Sequence, residues 1–433
     1  MPITSTGEII PDSLGNPFII GDLIFGSVSV TGGSVVSFNN ATIEGDNLRA
    51  LGLNASSTGT LRVEGAGSSA SLIAPVNGGA GFVVGIDGTG NVRGLSGASL
   101  AIESSLADPD AFSILEIASS VGSRGTVELV NSRLNMSGYL NVVVVGLGGT
   151  GNLDIDTGST ATFTSTLGTA IAVGGTGSFL NIMTIEDGAS ASLSAGGSQI
   201  ISADTPIITG IGVGEEGAGG LLGVDGDLDI TTSRGTASIV LGTGTNGSGL
   251  LSMDGGDIRL TAESGPGNAI ALLNATMTVG ARDGVGLMSL EDSNITLNGE
   301  EAASIFAAFE GGTGNIELTN STIGLESAGP SEIFLATGLL GAETTGEMTL
   351  EQGSSLSLAG SSDLISVEHG SNTTGTLQVS GNSSVDIEGQ TAGFLLGDIS
   401  GADAMATFTN STLNITSTDP LFSAGVTQGS QAF

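Results

Sequence analysis

One phrase returns along nearly the whole chain: two apolar residues separated by a polar one, a turn rich in glycine or serine, then a second such pair. In GTLQVSGNSSVDIEG, residues 375–389, the apolar positions are Leu377, Val379, Val385 and Ile387. Alternation with period two puts every second side chain on one face of an extended strand, so each copy reads as two half-buried strands joined by a turn. First pairs recur at Leu61/Val63, Val127/Leu129, Leu153/Ile155, Met183/Ile185, Leu222/Val224, Leu251/Met253, Met288/Leu290, Ile316/Leu318, Met348/Leu350, Leu377/Val379 and Ala406/Phe408. A weaker copy begins near Val92. The average step is about 31 residues, within the range of solenoid repeats.

Second pairs follow at Leu134/Met136, Ala161/Phe163, Ile258/Leu260, Ile295/Leu297, Leu356/Leu358, Val385/Ile387 and Leu413/Ile415. The turns between them, such as EGAGSS, DTGST, EQGSS and TNST, use residues that tolerate left-handed backbone or cap it with side-chain hydrogen bonds. Asn131, Asn320 and Asn410 hold matching turn positions and read as turn formers. A third apolar run then ends near glycine, as in FVVG at 82–85, VVVVG at 142–146, SIVLG at 238–242 and FLLG at 394–397. No segment of useful length carries a capped helical period.

An isolated hairpin cannot bury both its faces in water. Stacking repeat on repeat, with each strand pairing in parallel with its equivalent above and below, solves this and gives a shared apolar interior. The predicted fold is all-β: a parallel β-solenoid, a three-sided β-helix of about 13–14 coils. Residues 1–54 read as an N-terminal capping or docking segment with the first coil or coils, 55–415 as solenoid repeats, and 416–433 as a C-terminal tail.

Composition narrows the function classes. The 433 residues include 44 acidic and eight basic ones, all eight of them Arg, for a net charge of −36. Nucleic-acid binding needs phosphate contacts from Lys and Arg, so it is excluded as a general role. Nothing reaches the roughly 18 consecutive apolar residues of a membrane-spanning helix, so no membrane insertion is expected. With no cysteine there are no disulfides and no thiolate metal sites.

Candidate sites are few. VDGDLDI sets Asp225, Asp227 and Asp229 on one side of an extended segment, and three carboxylates can hold Ca²⁺. Asp108 and Asp110 flank Pro109 in a bend and form a second candidate calcium site. Both also read as a solvated acidic face and a plain turn. Glu215–Glu216 and Glu300–Glu301 read as solvated loop residues. Arg62 and Arg259 read as outward partners of acids on neighbouring coils. Calcium is the one cofactor these residues suggest.

Hydrolysis of a polysaccharide would need two carboxylates at a controlled separation, for which Asp227 and Asp229 are the nearest proposal. There is, however, no Lys, a single His at 369, a lone Tyr139 and no Trp to serve as a platform for sugar rings. Catalysis is therefore not expected. Thr, Ser and Asn at 162, 192, 296, 357 and 414 face outward, but Asp229, Arg259 and Asp386 break any regular ice-binding array.

TGTLRVEGAGSSASL, GNLDIDTGSTATF, GEMTLEQGSSLSLAG and GTLQVSGNSSVDIEG resemble the repeats of bacterial autotransporter passengers and PEP-CTERM-associated proteins, over roughly residues 55–415. The resemblance implies a solenoid on the bacterial cell surface or outside the cell, adhesive or structural in role. The family's signal peptide, C-terminal barrel and sorting tail have no counterpart in the sequence, so its export route is not carried over. Open solenoid ends present unpaired strand edges that must be capped or joined. NPFIIGDLIFGSVSV, residues 16–30, departs from the repeat and is apolar enough to cap the first coil or to dock on a neighbour's last coil. The leading expectation is a secreted structural protein that associates end to end with itself into a filament, sheath or matrix. The alternative is a surface adhesin that binds glycans, host proteins or other cell-surface components.

Overall fold

The computed structural model describes residues 51–52, 55, 58–74, 78–174, 183, 209–214, 219–233, 235–263, 273–338, 343–397 and 403–423 with their side chains, and some further strands as backbone alone. The segment 16–30 and the tail beyond Ala424 lie outside the side chains so described. The chain divides into two compact units, Met1–Gly197 with Asp225–Leu228, and Ser198–Val224 with Asp229–Phe433. The architecture is a parallel β-solenoid of about 11 turns, with no helix among the described residues. The expected 13–14 coils came from dividing the whole chain by the repeat.

In the N-terminal unit the first strands Thr58–Glu64, Thr89–Leu95, Arg124–Val130 and Thr150–Ile155 pair in parallel, aligning Leu61, Val92, Val127 and Leu153. In the C-terminal unit the same register aligns Leu222, Leu251, Met288, Ile316, Met348, Leu377 and Ala406. All of these except Ala406 are 0–2% exposed. Period-two patterning fixes this register, because a slip by one residue would turn every apolar side chain outward. The turn reading holds as well: Asn131, Asn320 and Asn410 have φ of 47°, 49° and 49°.

Three features depart from the simple picture. The second and third strands fuse in several coils, as in Arg133–Val145 and Ser384–Leu396, so the second bend does not interrupt pairing. A shift of register between Gly138 and Leu140 absorbs the corner. At the first corner, serine hydroxyls link successive coils: Ser321 Oγ accepts from the Ser293 backbone N–H at 3.1 Å, and Ser354 Oγ from that of Ser321 at 3.2 Å. Each buried turn thus satisfies the backbone of the coil beside it.

The third departure is inside. The first inward position of the third strands is often polar rather than apolar. Ser113, Asn141 and Thr169 stack in register in the N-terminal unit, all 0% exposed. Ser331 and Asp363 do so in the C-terminal unit, at 0% and 2%. Asn141 Nδ2 donates to the Thr164 carbonyl at 2.9 Å, and the Ser113 hydroxyl to the Ser137 carbonyl at 2.7 Å. These groups bond backbone oxygens freed where the chain bends, which is why the column tolerates them.

Candidate functional site

Of the candidate calcium ligands, Asp227 and Asp229 lie on a strand, and the others lie in bends and turns. Asp225 is exposed in a bend, and Asp227 is exposed as the first residue of its strand. Asp229 is held by Arg259, whose Nη1 lies 3.4 Å from Oδ1 and whose Nη2 lies 2.6 Å from Asp257. Asp108 Oδ1 accepts the Asp110 backbone N–H at 3.1 Å, the Asx turn expected around Pro109. Among the described residues, no three His, Asp or Glu side chains are grouped so as to hold a metal ion. Glu300 and Glu301 are exposed, and Glu215 and Glu216 lie outside the described side chains.

The arginine reading is half right. Arg259 does reach an acid on the next coil, but Arg62 bonds Glu64 on its own strand at 2.6 Å. The cross-coil pair of the N-terminal unit is instead Arg93 with Glu128 at 2.7 Å, and that bond raises the Arg93 pKa further. All these side chains are substantially exposed, so each pair contributes little.

Sequence reading missed an aromatic strip on the outward side of the C-terminal unit. Phe306 and Phe334 are register partners and stack at 5.4 Å with rings 9° apart. Phe309 meets Phe306 edge-on at 5.5 Å, and His369 tilts against Phe334 at 5.7 Å. His369, the single histidine, therefore belongs to a row of four rings across three coils. Glu332 lies beside it; burial raises its pKa, and His369 pulls the other way. Only the register, which sets residues 28 apart side by side, could have announced this strip.

The same unit carries a groove along the bends between second and third strands. Ser327–Ala328, Ala359–Ser361, Glu388–Gln390 and Thr416–Thr418 line it, enclosing about 700 Å³. Beneath its floor lies the buried Asp363. Oδ2 accepts the Gly360 N–H at 2.9 Å and Oδ1 that of Ser331 at 3.2 Å. A Cβ on Gly389 would fall 2.2 Å from Oδ2, so only glycine lets the next coil pass over the carboxylate.

Burial raises the Asp363 pKa, and the Gly360 and Ser331 donors offset part of the rise. A carboxyl whose folded value lies above its unfolded one gives its full stabilisation below the ordinary aspartate value of about 3.9, and loses it as pH rises through the raised value. Acidification from about pH 7 to about pH 4, near the ordinary aspartate value, should therefore raise the melting temperature. In Asp363→Ser, which repeats the residue found at 331 in the same column, the rise should be smaller. Thermal scans of both proteins at both pH values check this; equal rises would exclude Asp363 as a source.

A further site is the last described coil. Inward positions one coil earlier are closed: Leu377 and Val385 at 0%, and Val379, Ile387 and Phe394 at 1% exposed. Their register partners Ala406, Leu413, Phe408 and Ile415 are half-exposed, and Phe422, the partner of Phe394, is 64% exposed. The inward side chains of this coil are thus less covered than those one coil earlier, and the strand Gln431–Ala432 pairs in parallel with Asp403–Ala404 beyond them.

No family model matches the chain, and no curated protein matches it. Among solved structures, the crystal structure of a TibC-catalyzed hyper-glycosylated TibA55-350 fragment matches with 12% identity, over 94% of this chain and 96% of that one, at a TM-score of 0.22. No helix among the described residues is long and apolar enough to cross a membrane.

Proposed function

We propose that this chain is a secreted structural β-solenoid, the building block of an extracellular filament, sheath or matrix that grows by end-to-end association of copies. The observation that carries the reading is the exposed apolar row of the last described coil, where Phe422 is 64% exposed and its partner one coil earlier is 1% exposed. Coil-on-coil stacking is how the inward residues of the earlier described coils are buried. A second copy offering its first coil would bury Phe408, Leu413, Ile415 and Phe422 by the same contacts, each worth about 1.5–3 kcal/mol when fully covered. A head-to-tail contact of this kind does not close on itself and therefore propagates. The net charge of −36 opposes the approach of two copies, so association should strengthen with salt, which shortens the screening length to about 8 Å at physiological ionic strength. The reading places the protein outside the cell or on its surface, gives it no catalytic role, and leaves calcium at the acidic positions as an accessory to assembly.

Electron microscopy and light scattering of the purified protein over a range of concentrations and salt test the proposal. Fibres should form with the native sequence and be lost in Phe422→Asp, a change at an exposed position that leaves the far-ultraviolet circular dichroism unchanged. Separate short particles under every condition, or fibres indifferent to the substitution, would reject it. The rival reading as a surface adhesin draws on the lateral groove of the C-terminal unit.

A further inference from the structure

We infer that the groove over Asp363 is a binding site for an extended, uncharged polyhydroxyl chain of the oligosaccharide class, engaged through Ser361, Gln390, Thr416 and Thr418. The inference concerns the side of the solenoid and does not depend on end-to-end association.

Four observations lead there. First, the groove follows the bends of successive coils, which repeat every 4.7–4.9 Å or so, and so offers equivalent polar positions in a row to a ligand with its own short repeat. Second, its lining is hydroxyl, amide and backbone, with one carboxylate, Glu388, and no aromatic or large aliphatic side chain. Ser361, Gln390 and Thr416 are exposed, and their side chains make no hydrogen bond among the described residues. The Thr418 hydroxyl donates to the Gln390 carbonyl at 2.9 Å, which leaves its lone pairs to accept from a ligand.

Third, the other polymer classes fit poorly. Apart from the outer side of Thr412–Ala424, the strands along the groove are paired with the coils beside them, so an extended peptide lying in the groove finds no edge to join. Nor does it find apolar pockets for its side chains. Polyanions are repelled, because residues 283–433 carry 19 acidic residues and no Arg or Lys. Fourth, the floor is built at a cost. A carboxylate 2% exposed occupies an interior column whose other members in this unit include Ala303, Ser331 and Ala392, and glycine is required opposite it. Burying that charge is unfavourable unless it is hydrogen-bonded, and its two acceptor oxygens are spent on the backbone of two adjacent coils, at Gly360 and at Ser331. The carboxylate thereby fixes the shape of the bends under the groove.

Without a ring to stack on a sugar face, a single site is expected to be weak, with Kd near the millimolar range, about −4 kcal/mol. The test is calorimetric and NMR titration with neutral β-1,4-glucan and α-1,4-glucan hexasaccharides, and with a galacturonic-acid hexasaccharide, below any concentration at which fibres form. Saturable binding of a neutral glucan, no binding of the uronic acid, and a loss of affinity of about tenfold in the Gln390→Ala/Thr416→Ala double variant with an unchanged melting temperature would support the site. Gln378→Ala, which alters an outward residue of a first strand instead, should bind like the native protein. Failure of both glucans to saturate, preference for the uronic acid, or native affinity in the double variant would overturn it.

Discussion

Gly346→Ala should prevent a stable C-terminal unit from forming, whereas Gly324→Ala should leave it intact. Gly346 belongs to a ladder that aligns Gly314, Gly346 and Gly375 in the first strands, and it ends at Ala404. In each coil the third strand finishes just before the chain turns into the next first strand, and its last carbonyl crosses the ladder position. A Cβ at 346 would lie 1.5 Å from the Leu335 carbonyl oxygen, and at 375 the same distance from that of Val367. Both obstacles are backbone, so no rotamer change relieves them. Gly324 faces outward; a Cβ there meets only Ser357 Oγ at 3.5 Å, an ordinary contact. The expected loss for Gly346→Ala is about 4–5 kcal/mol or more, at the extreme for single substitutions. Gly324→Ala should be neutral, or stabilising by about 0.4–1 kcal/mol through the unfolded chain. Urea unfolding of both variants checks the contrast. Similar midpoints would mean that the corner relaxes and the ladder is not a steric requirement.

Phe394→Ala should loosen the last coil before anything else. Phe394 is 1% exposed, stacks on Phe422 at 6.1 Å with rings 13° apart, and meets Phe408 edge-on at 6.2 Å. Truncating a buried Phe costs about 3–5 kcal/mol. In a solenoid that loss is felt mainly by the coils in contact with it, because stability is close to a sum of nearest-neighbour terms. Hydrogen exchange should show amides in 403–423 losing protection by two or more orders of magnitude, while those around Met288 and Ile316 change little. Uniform loss across the unit would show a more cooperative structure than nearest-neighbour stacking implies. Because the same rings form the exposed apolar row of the last described coil, this variant should also assemble poorly under the proposed function.

The carboxylate positions show the limit of reading sites from one strand. Asp225, Asp227 and Asp229 look like a constellation in the sequence, but what each carboxylate meets is set by the next coil, from which Arg259 reaches Asp229. The outward position of Arg62 suggests a partner across coils, yet its partner is Glu64, two residues away on its own strand. The ring strip, the inward polar column and the glycine ladder escaped notice for a common reason. Each is a row perpendicular to the chain, assembled from single residues about 28–35 positions apart.

Period-two alternation, its return every thirty-odd residues and turn chemistry at Asn131, Asn320 and Asn410 were enough, by themselves, to determine a parallel β-solenoid and which side chains point inward. These are local properties: one strand's pattern decides which of its faces leaves water, whatever its neighbours are. The tertiary structure alone decided which residues share a row, where the interior turns polar around Asp363, where a groove opens over it, and how far the inward side chains of each coil are covered. Those features depend on the exact length of each loop, because one residue more or less between strands changes every lateral neighbour while leaving the pattern along the chain unaltered.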